Sequence, residues 1–152
     1  AEQREAFNKL LDVIDDKVGL IIVDSIVMLY RLNLQEAAAE KKEDRVKAIN
    51  QALIRQLRIL NEIARKKSIP VLVTDQVYSD FLSQEDFEEG KQKGISMVAG
   101  DILKYWSKCL IELQSLGSNK KKAIIKKHRS LPEKEFLFRI TDEGIKKKGL
   151  LG

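Results

Sequence analysis

The most regular pattern in the chain is a helical period of apolar residues between Glu43 and Lys67. Apolar side chains recur there at steps of three or four, the spacing that lines one face of an α-helix: Val46, Ile49, Leu53, Leu57, Leu60 and Ala64. Ser68 and Pro70 follow, and the pattern stops because proline cannot continue a helix. The sequence therefore predicts one long amphipathic helix over 43–67.

Two short runs of branched apolar residues flank this helix and predict strands. Residues 18–24 read VGLIIVD and residues 69–74 read IPVLVT, and neither run alternates between apolar and polar positions. Such strands are typical of a parallel sheet that is covered on both faces. Strand, helix and strand form a βαβ unit, whose strands are almost always parallel. We therefore expect an α/β fold with a mostly parallel central sheet flanked by helices.

Weaker patterns complete the predicted topology. A helix is predicted over 1–16, a loop or weak helix over 31–42, and a helix over 95–106. After Val77 no steady period is present, which predicts a long loop, and loops of that length are usually functional. Three strand-like runs separated by turns predict antiparallel strands at the C-terminal end of the sheet: 109–113, 123–127 and 135–140.

Length and composition narrow the class of protein. With 152 residues, 43% of them apolar and 34% charged, the chain is expected to fold as one globular domain over 1–152. No apolar run approaches the roughly 20 residues that cross a bilayer, and no secretory signal pattern opens the chain. We therefore expect a soluble cytoplasmic protein without membrane contact. One cysteine and one histidine exclude a disulfide framework and argue against a cysteine- or histidine-based metal site.

The net charge of +5 is unevenly distributed along the chain. Basic residues concentrate in the last third, at 120–122, 126–129 and 146–148. Basic clusters often mark contact with a phosphate-bearing partner, nucleic acid above all. A solvated lysine-rich surface explains the same composition equally well.

Polar side chains follow both predicted strands at their carboxyl ends. Asp24 and Ser25 follow the first strand, and Thr74, Asp75 and Gln76 follow the second. Ligands of parallel α/β sheets bind at this edge, where a carboxylate can hold hydrated Mg²⁺ and an amide can contact a phosphate oxygen. Residues of these types also serve as ordinary helix caps and turn formers. The pattern suits a nucleotide phosphate.

Three segments occur in an order and spacing that is specific when they are taken together: LIIVDS (20–25), IPVLVTDQV (69–77) and KKHRSLPEKEFLFRITDEGI (126–145). They resemble the archaeal RecA/RadA recombinase family, most nearly its RadB branch. The first segment is a common Walker B pattern, whereas the strand-ending glutamine and the closing FRITDEG strand are more specific. The resemblance covers nearly the whole chain and implies the carboxyl-terminal two-thirds of a RecA-like P-loop ATPase core.

The resemblance implies roles for the residues at matching positions. Asp24 corresponds to the Walker B aspartate, which binds Mg²⁺ through water, and Ser25 lies beside it in the ATP site. Gln76 corresponds to the residue that senses the γ-phosphate. Lys127 and Arg129 match a Lys-x-Arg pattern that some RecA-like ATPases extend into a neighbouring subunit's nucleotide, where cations stabilise the transferring phosphoryl group. A solvated basic turn is the ordinary alternative for that pair.

The resemblance also implies a DNA surface. In the family the loops after the two strands face the DNA channel, and they map here to about 31–45 and 78–100. The implied phosphate contacts are Arg31, Lys41, Lys42, Arg45, Lys91 and Lys93, while Tyr78 and Phe81 are expected to stack on single-stranded bases. Lys41, Lys42 and Arg45 are equally consistent with solvated surface residues, and Arg31 with an ion pair.

The implied function is homologous recombination and DNA repair, with ATP and Mg²⁺ bound in the complete protein. The phosphate-binding loop G-x-x-x-x-G-K-[ST] does not occur in the 152 residues. We therefore expect a chain that is truncated at its N-terminus and hydrolyses ATP weakly or not at all alone. The alternative is a non-catalytic module that docks on a RadA-type recombinase or a Holliday-junction resolvase. Homo-oligomer formation stays open, as does a metal-dependent nuclease or phosphatase that uses Asp24 and Asp75.

Overall fold

A computed structural model describes residues 2–79 and 95–147. The chain divides into two compact units, Ala1–Trp106 and Ser107–Gly152, and each is described by itself. Within the described ranges, no helix combines the length and the apolar character needed to span a membrane.

The first unit alternates helices with short strands. In chain order the elements are α1 (Glu2–Val13), β1 (Ile21–Val23), α2 (Met28–Ala39), α3 (Glu43–Lys67), β2 (Val71–Val73), β3 (Val77–Ser79), β4 (Ile95–Met97) and α4 (Gly100–Trp106). Strands β1 and β2 pair in parallel, with Ile21 opposite Val71 and Val23 opposite Val73. The predicted βαβ unit and the α/β class are confirmed. The parallel part of the described structure is this single pair, a smaller share than the sequence predicts.

Helix α3 forms the main wall of the core of the first unit. It covers 43–67 as predicted, and its acidic first turn and basic last turn complement the helix dipole. Leu53, Leu57 and Leu60 lie on one face and are each no more than 3% exposed. They cluster with buried side chains of α1, of the β1–α2 connection and of the chain around α4: Phe7, Ile26, Val27, Val98 and Leu103. Ser68 then ends the helix in the left-handed conformation, with φ of 53°.

The bounds of three short elements, β3, α4 and α2, add to or correct the sequence prediction. The segment after Val77 begins as a strand, because 77–79 pair antiparallel with 95–97. The helix predicted over 95–106 therefore starts only at Gly100. Strands of three residues are too short to show an alternating period. Helix α2 is the weak helix that the sequence allowed, and its apolar residues lie on several sides, with Ala37 buried and Leu29 and Leu32 exposed.

The second unit is an antiparallel sheet of four strands in the order β5-β6-β7-β8. Its strands are β5 (Leu110–Ser115), β6 (Lys120–Lys127), β7 (Lys134–Thr141) and β8 (Gly144–Lys147). The first three confirm the predicted antiparallel strands. The fourth reads GIKK, with one large apolar residue, so its sequence carries no strand pattern. Gly144 opens it with φ of 106°, a conformation that favours glycine.

The two faces of this second sheet differ in polarity. The strand pairing places five apolar side chains, each 45% to 75% exposed, on one face: Ile111, Leu113, Phe136, Ile140 and Ile145. We call these five residues the apolar sheet face. The other face carries charged pairs, such as Lys122 with Glu135 at 3.1 Å. A contiguous exposed apolar surface of this kind marks an interaction site more often than a solvent face.

Candidate functional site

Asp24 and Thr74 meet at the carboxyl edge of the β1–β2 pair. Because Val23 lies opposite Val73, the residues that follow them leave the sheet side by side. The backbone N–H of Thr74 donates to the carbonyl oxygen of Val23 at 3.1 Å, which extends the pairing by one step. The Thr74 hydroxyl then donates a hydrogen bond to Oδ1 of Asp24. The two strand ends thus come together as the βαβ topology predicts.

The donor groups at this edge fit a hydrated divalent cation. Asp24 is exposed, so the hydrogen bond from Thr74 orients its carboxylate while leaving it open to solvent. Ser25 supplies a second hydroxyl and is half-buried beside it. Mg²⁺ commonly keeps several waters and takes one or two carboxylates together with substrate phosphates. Within 2–79 and 95–147, no group of three His, Cys, Asp or Glu side chains converges to hold a metal ion.

Asp75 has the less solvated of the two carboxylates at this edge, since Asp24 is exposed. Both of its carboxylate oxygens are buried, and neither receives a well-formed hydrogen bond. Burial raises the pKa of Asp75 to about 6, and the backbone N–H of Gln76 offsets that effect only in part. The sequence shows Asp75 as one of several polar residues after β2, and nothing in the pattern distinguishes it.

Gln76 is exposed and stands directly before β3. It lies two residues beyond Thr74, in the short connection between the parallel pair and the β3–β4 hairpin. A ligand that forms a hydrogen bond with the Gln76 amide would therefore contact the residue that directly precedes β3.

The basic residues of the α2–α3 connection differ in their pairing. Lys42 Nζ lies 3.0 Å from Glu40 Oε2, and Arg45 contacts Glu40 Oε1 at 2.8 Å and Glu36 Oε2 at 2.6 Å. The hydrogen bond with Glu40 raises the pKa of Arg45, and the bonds from Arg45 and then Lys42 lower the pKa of Glu40. Lys41 contacts no carboxylate in the described part of the chain. Two of the three predicted phosphate contacts here are therefore held by acids.

The other predicted DNA contacts are only partly described. Arg31 is exposed in the first half of α2. The backbone of Tyr78 lies in β3, where it pairs with Ser96. The remaining three lie outside the described residues: Phe81, Lys91 and Lys93.

Lys127 and Arg129 belong to the second unit. Lys127 is the last residue of β6, and Arg129 is exposed in the turn that follows. Between them, His128 Nδ1 accepts the backbone N–H groups of Ser130 at 3.1 Å and Leu131 at 3.0 Å. His128 Nδ1 thus organises this turn as a shared acceptor for two consecutive backbone N–H groups. That structural role leaves no signal in the spacing of the sequence.

Comparison with known proteins decides the family of this chain. The family model described as Rad51 matches residues 3–148. The chain belongs to the Rad51 family. Its α/β class, with a parallel pair preceding antiparallel strands, agrees with the RecA-like core that this family implies.

Several proteins similar to this chain carry the name "DNA repair and recombination protein RadB". The protein from Methanobrevibacter smithii is 36% identical over 132 residues, which cover 86% of this chain and 50% of the relative. The proteins from Methanococcoides burtonii and Methanococcus maripaludis are 34% and 36% identical, each over 95% of this chain and over 58% and 59% of the relative. The predicted RadB-like resemblance is confirmed. The chain spans between 50% and 59% of the length of these three relatives.

The raised pKa of Asp75 predicts a pH dependence of stability. Folding raises this pKa from 3.8 to about 6, so the folded state binds the proton more tightly than the unfolded chain. The resulting stabilisation is present below pH 4 and is lost as the pH rises through about 6. Asp75→Asn removes the cost of the buried charge. We expect it to raise the free energy of unfolding at pH 7.5 by about 1 kcal/mol, after allowance for solvent screening.

Urea unfolding of the wild type and of Asp75→Asn between pH 4 and pH 8 measures this effect. The advantage of the variant should shrink towards pH 4, where Asp75 is protonated in the folded state and the cost of its buried charge disappears. Asp12→Asn, a substitution at an exposed position of α1, controls for the chemical change itself. An advantage of Asp75→Asn that is constant with pH would contradict the prediction.

Proposed function

We propose that this chain is the metal- and DNA-contacting part of a RadB-like protein of homologous recombination and DNA repair. The observation that carries the proposal is the pair formed by Asp24 and Thr74 at the carboxyl edge of parallel strands in a Rad51-family chain. The names of the similar RadB proteins support the role in recombination and repair.

ATP with Mg²⁺ is the cofactor we propose for this edge. Asp24 would hold the hydrated ion, with the hydroxyl of Ser25 beside it. Gln76 would contact the γ-phosphate and pass its presence into β3. The phosphate-binding loop motif does not occur in the 152 residues. Tight nucleotide binding therefore needs phosphate-binding groups that these 152 residues do not supply. The chain alone is expected to hydrolyse ATP weakly or not at all.

The basic pair Lys127 and Arg129 has a separate proposed role. Both side chains are exposed, and the hydrogen bonds at His128 organise the turn that carries them. A guanidinium and an ammonium group in such a turn can stabilise charge on the phosphoryl group of a nucleotide in a neighbouring subunit.

Single-stranded DNA is the proposed nucleic acid. Arg31, Lys41 and Lys42 are exposed within the region that follows β1, so they can reach phosphates without local unfolding. Each such contact adds an affinity that depends on salt and not on base sequence. Arg45, Lys91 and Lys93 would add further phosphate contacts, and Tyr78 and Phe81 would stack on bases.

Removal of three basic side chains tests the DNA contact. The variant Arg31→Ala/Lys41→Ala/Lys42→Ala should bind a fluorescein-labelled oligothymidine about 10-fold more weakly near 0.1 M salt. The slope of log affinity against log salt should fall by about 1.4 to 2, because each lost contact to a single strand removes about 0.7 and the ion pair of Lys42 with Glu40 reduces the share of Lys42. Fluorescence anisotropy across a salt series measures both quantities.

A charge-matched control separates a local contact from a general electrostatic effect. The variant Lys9→Ala/Arg58→Ala/Lys66→Ala removes the same charge from exposed positions of α1 and α3 and should leave the salt slope unchanged. If the first variant binds with wild-type affinity and slope, the proposed DNA surface is wrong.

The apolar sheet face favours a second candidate function, docking on a RadA-type recombinase or a Holliday-junction resolvase. Its exposed side chains offer a partner apolar contact area.

The double variant Leu113→Asp/Ile145→Asp tests this docking function. It should abolish capture of the chain by the purified partner and leave DNA binding intact. The control is Glu112→Asp/Lys146→Arg, a conservative change on the opposite face. Partner binding that survives the aspartates, or that DNA displaces, would contradict this second function.

A further inference from the structure

We infer that Glu36 and Glu40 compete with DNA phosphates for Lys42 and Arg45, so that these two carboxylates regulate the DNA contact of the α2–α3 connection. The inference rests on the proposed DNA-binding function and names the regulation of that surface. We call Glu36 and Glu40 the carboxylate clamp.

The clamp engages both cations through separate atoms. The two terminal nitrogens of Arg45 contact different acids, one at 2.6 Å from Glu36 and the other at 2.8 Å from Glu40. The second oxygen of Glu40 lies 3.0 Å from Lys42 Nζ. Glu40 therefore bridges two cations, and Arg45 bridges two acids.

The local backbone explains why these four charges meet. Glu36 and Glu40 are four residues apart and share one face of the end of α2. Lys42 is the N-cap residue of α3, and Arg45 lies in the first turn of that helix. Lys41, with φ of 52°, makes the reversal between them, and this conformation brings the end of α2 against the start of α3.

A phosphate needs the same donors that the clamp occupies. Arginine recognises carboxylate and phosphate through the same fork of N–H groups, so one anion must leave before the other binds in that geometry. The five charged groups of the cluster, three cations and two carboxylates, leave a formal charge of only +1. In the clamped arrangement Lys41 is the cation of the connection that contacts no carboxylate among the described residues.

The clamp is strong enough to order the cations and weak enough to be displaced. Its carboxylates are 61% and 42% exposed, and exposed ion pairs are individually weak and sensitive to salt. DNA binding therefore exchanges carboxylate for phosphate at Lys42 and Arg45. The exchange lowers the affinity for DNA without abolishing it.

Two charge-matched double variants test the clamp. Glu36→Gln/Glu40→Gln removes the carboxylates that hold Lys42 and Arg45. Glu43→Gln/Asp44→Asn removes the same charge from the first turn of α3, where Asp44 pairs with Lys47 at 3.6 Å. The probe is a fluorescein-labelled oligothymidine, and anisotropy is followed from low to high salt.

The clamp variant should bind the probe about 5- to 10-fold more tightly near 0.1 M salt. Its salt slope should steepen by about 1.4, because counterion release from DNA at Lys42 and Arg45 is then no longer offset by cation uptake at Glu36 and Glu40. The charge-matched control should gain less than about 3-fold, with the wild-type slope. Adding Arg45→Ala to the clamp variant should remove about half of its gain, the share of one of the two released cations. Glu40→Gln alone, which keeps the Glu36–Arg45 pair, should give an intermediate gain and serves if the double variant does not fold.

Equal gains in both double variants, or a gain of the clamp variant that Arg45→Ala leaves undiminished, would overturn the clamp. A further result would also overturn the clamp: the Arg31/Lys41/Lys42 alanine variant loses DNA binding, but the Glu36→Gln/Glu40→Gln variant binds DNA as the wild type does. That result would leave the proposed DNA-binding function intact. Failure of every variant and of the wild type to bind the probe would overturn the DNA-binding proposal itself.

Discussion

The register of β1 against β2 is the constraint on which the candidate site depends. Side chains alternate between the faces of a strand, so a slip of one residue would turn Ile21 and Val23 away from the core and separate Asp24 from Thr74. Helix α3 supports that register, because its buried leucines belong to the core cluster against which Ile21 and Val23 pack. A polar arrangement at the edge of the sheet is thus set by apolar packing beneath it.

Three charged groups of the first unit differ in their surroundings. Asp24 is oriented by a neighbouring hydroxyl and stays open to solvent, whereas Arg45 is fully engaged by two carboxylates. The carboxylate oxygens of Asp75 are shielded from solvent and receive no well-formed hydrogen bond, which is uncommon in a folded protein. The first arrangement is suited to a ligand that brings its own charge and water. The pairing of Arg45 is suited to exchange with another anion. The burial of the Asp75 carboxylate costs free energy of folding, and the cost is larger when the group is ionised.

The sequence predicts elements well where a pattern is long enough to repeat. The 25 residues of α3 hold several turns of an apolar stripe, and their bounds were predicted to the residue. The strands β3 and β4 read VYS and ISM and lack the continuous branched apolar runs that mark the equally short β1 and β2, and β8 has one large apolar residue. Site geometry was predicted where it follows from topology, as for Asp24 beside the end of β2. The clamp and the burial of Asp75 depend on a chain reversal and on packing, which residue spacing does not encode.

A double-mutant cycle on Asp24 and Thr74 tests the convergence of the strand ends most directly. Free energies of unfolding are measured by urea titration for the wild type, Asp24→Ala, Thr74→Val and the double variant. A hydrogen bond from the hydroxyl to the carboxylate predicts a coupling free energy of about 1 kcal/mol or more between the two positions. A coupling within about 0.3 kcal/mol of zero would mean that the two side chains act independently, and it would contradict the site described here.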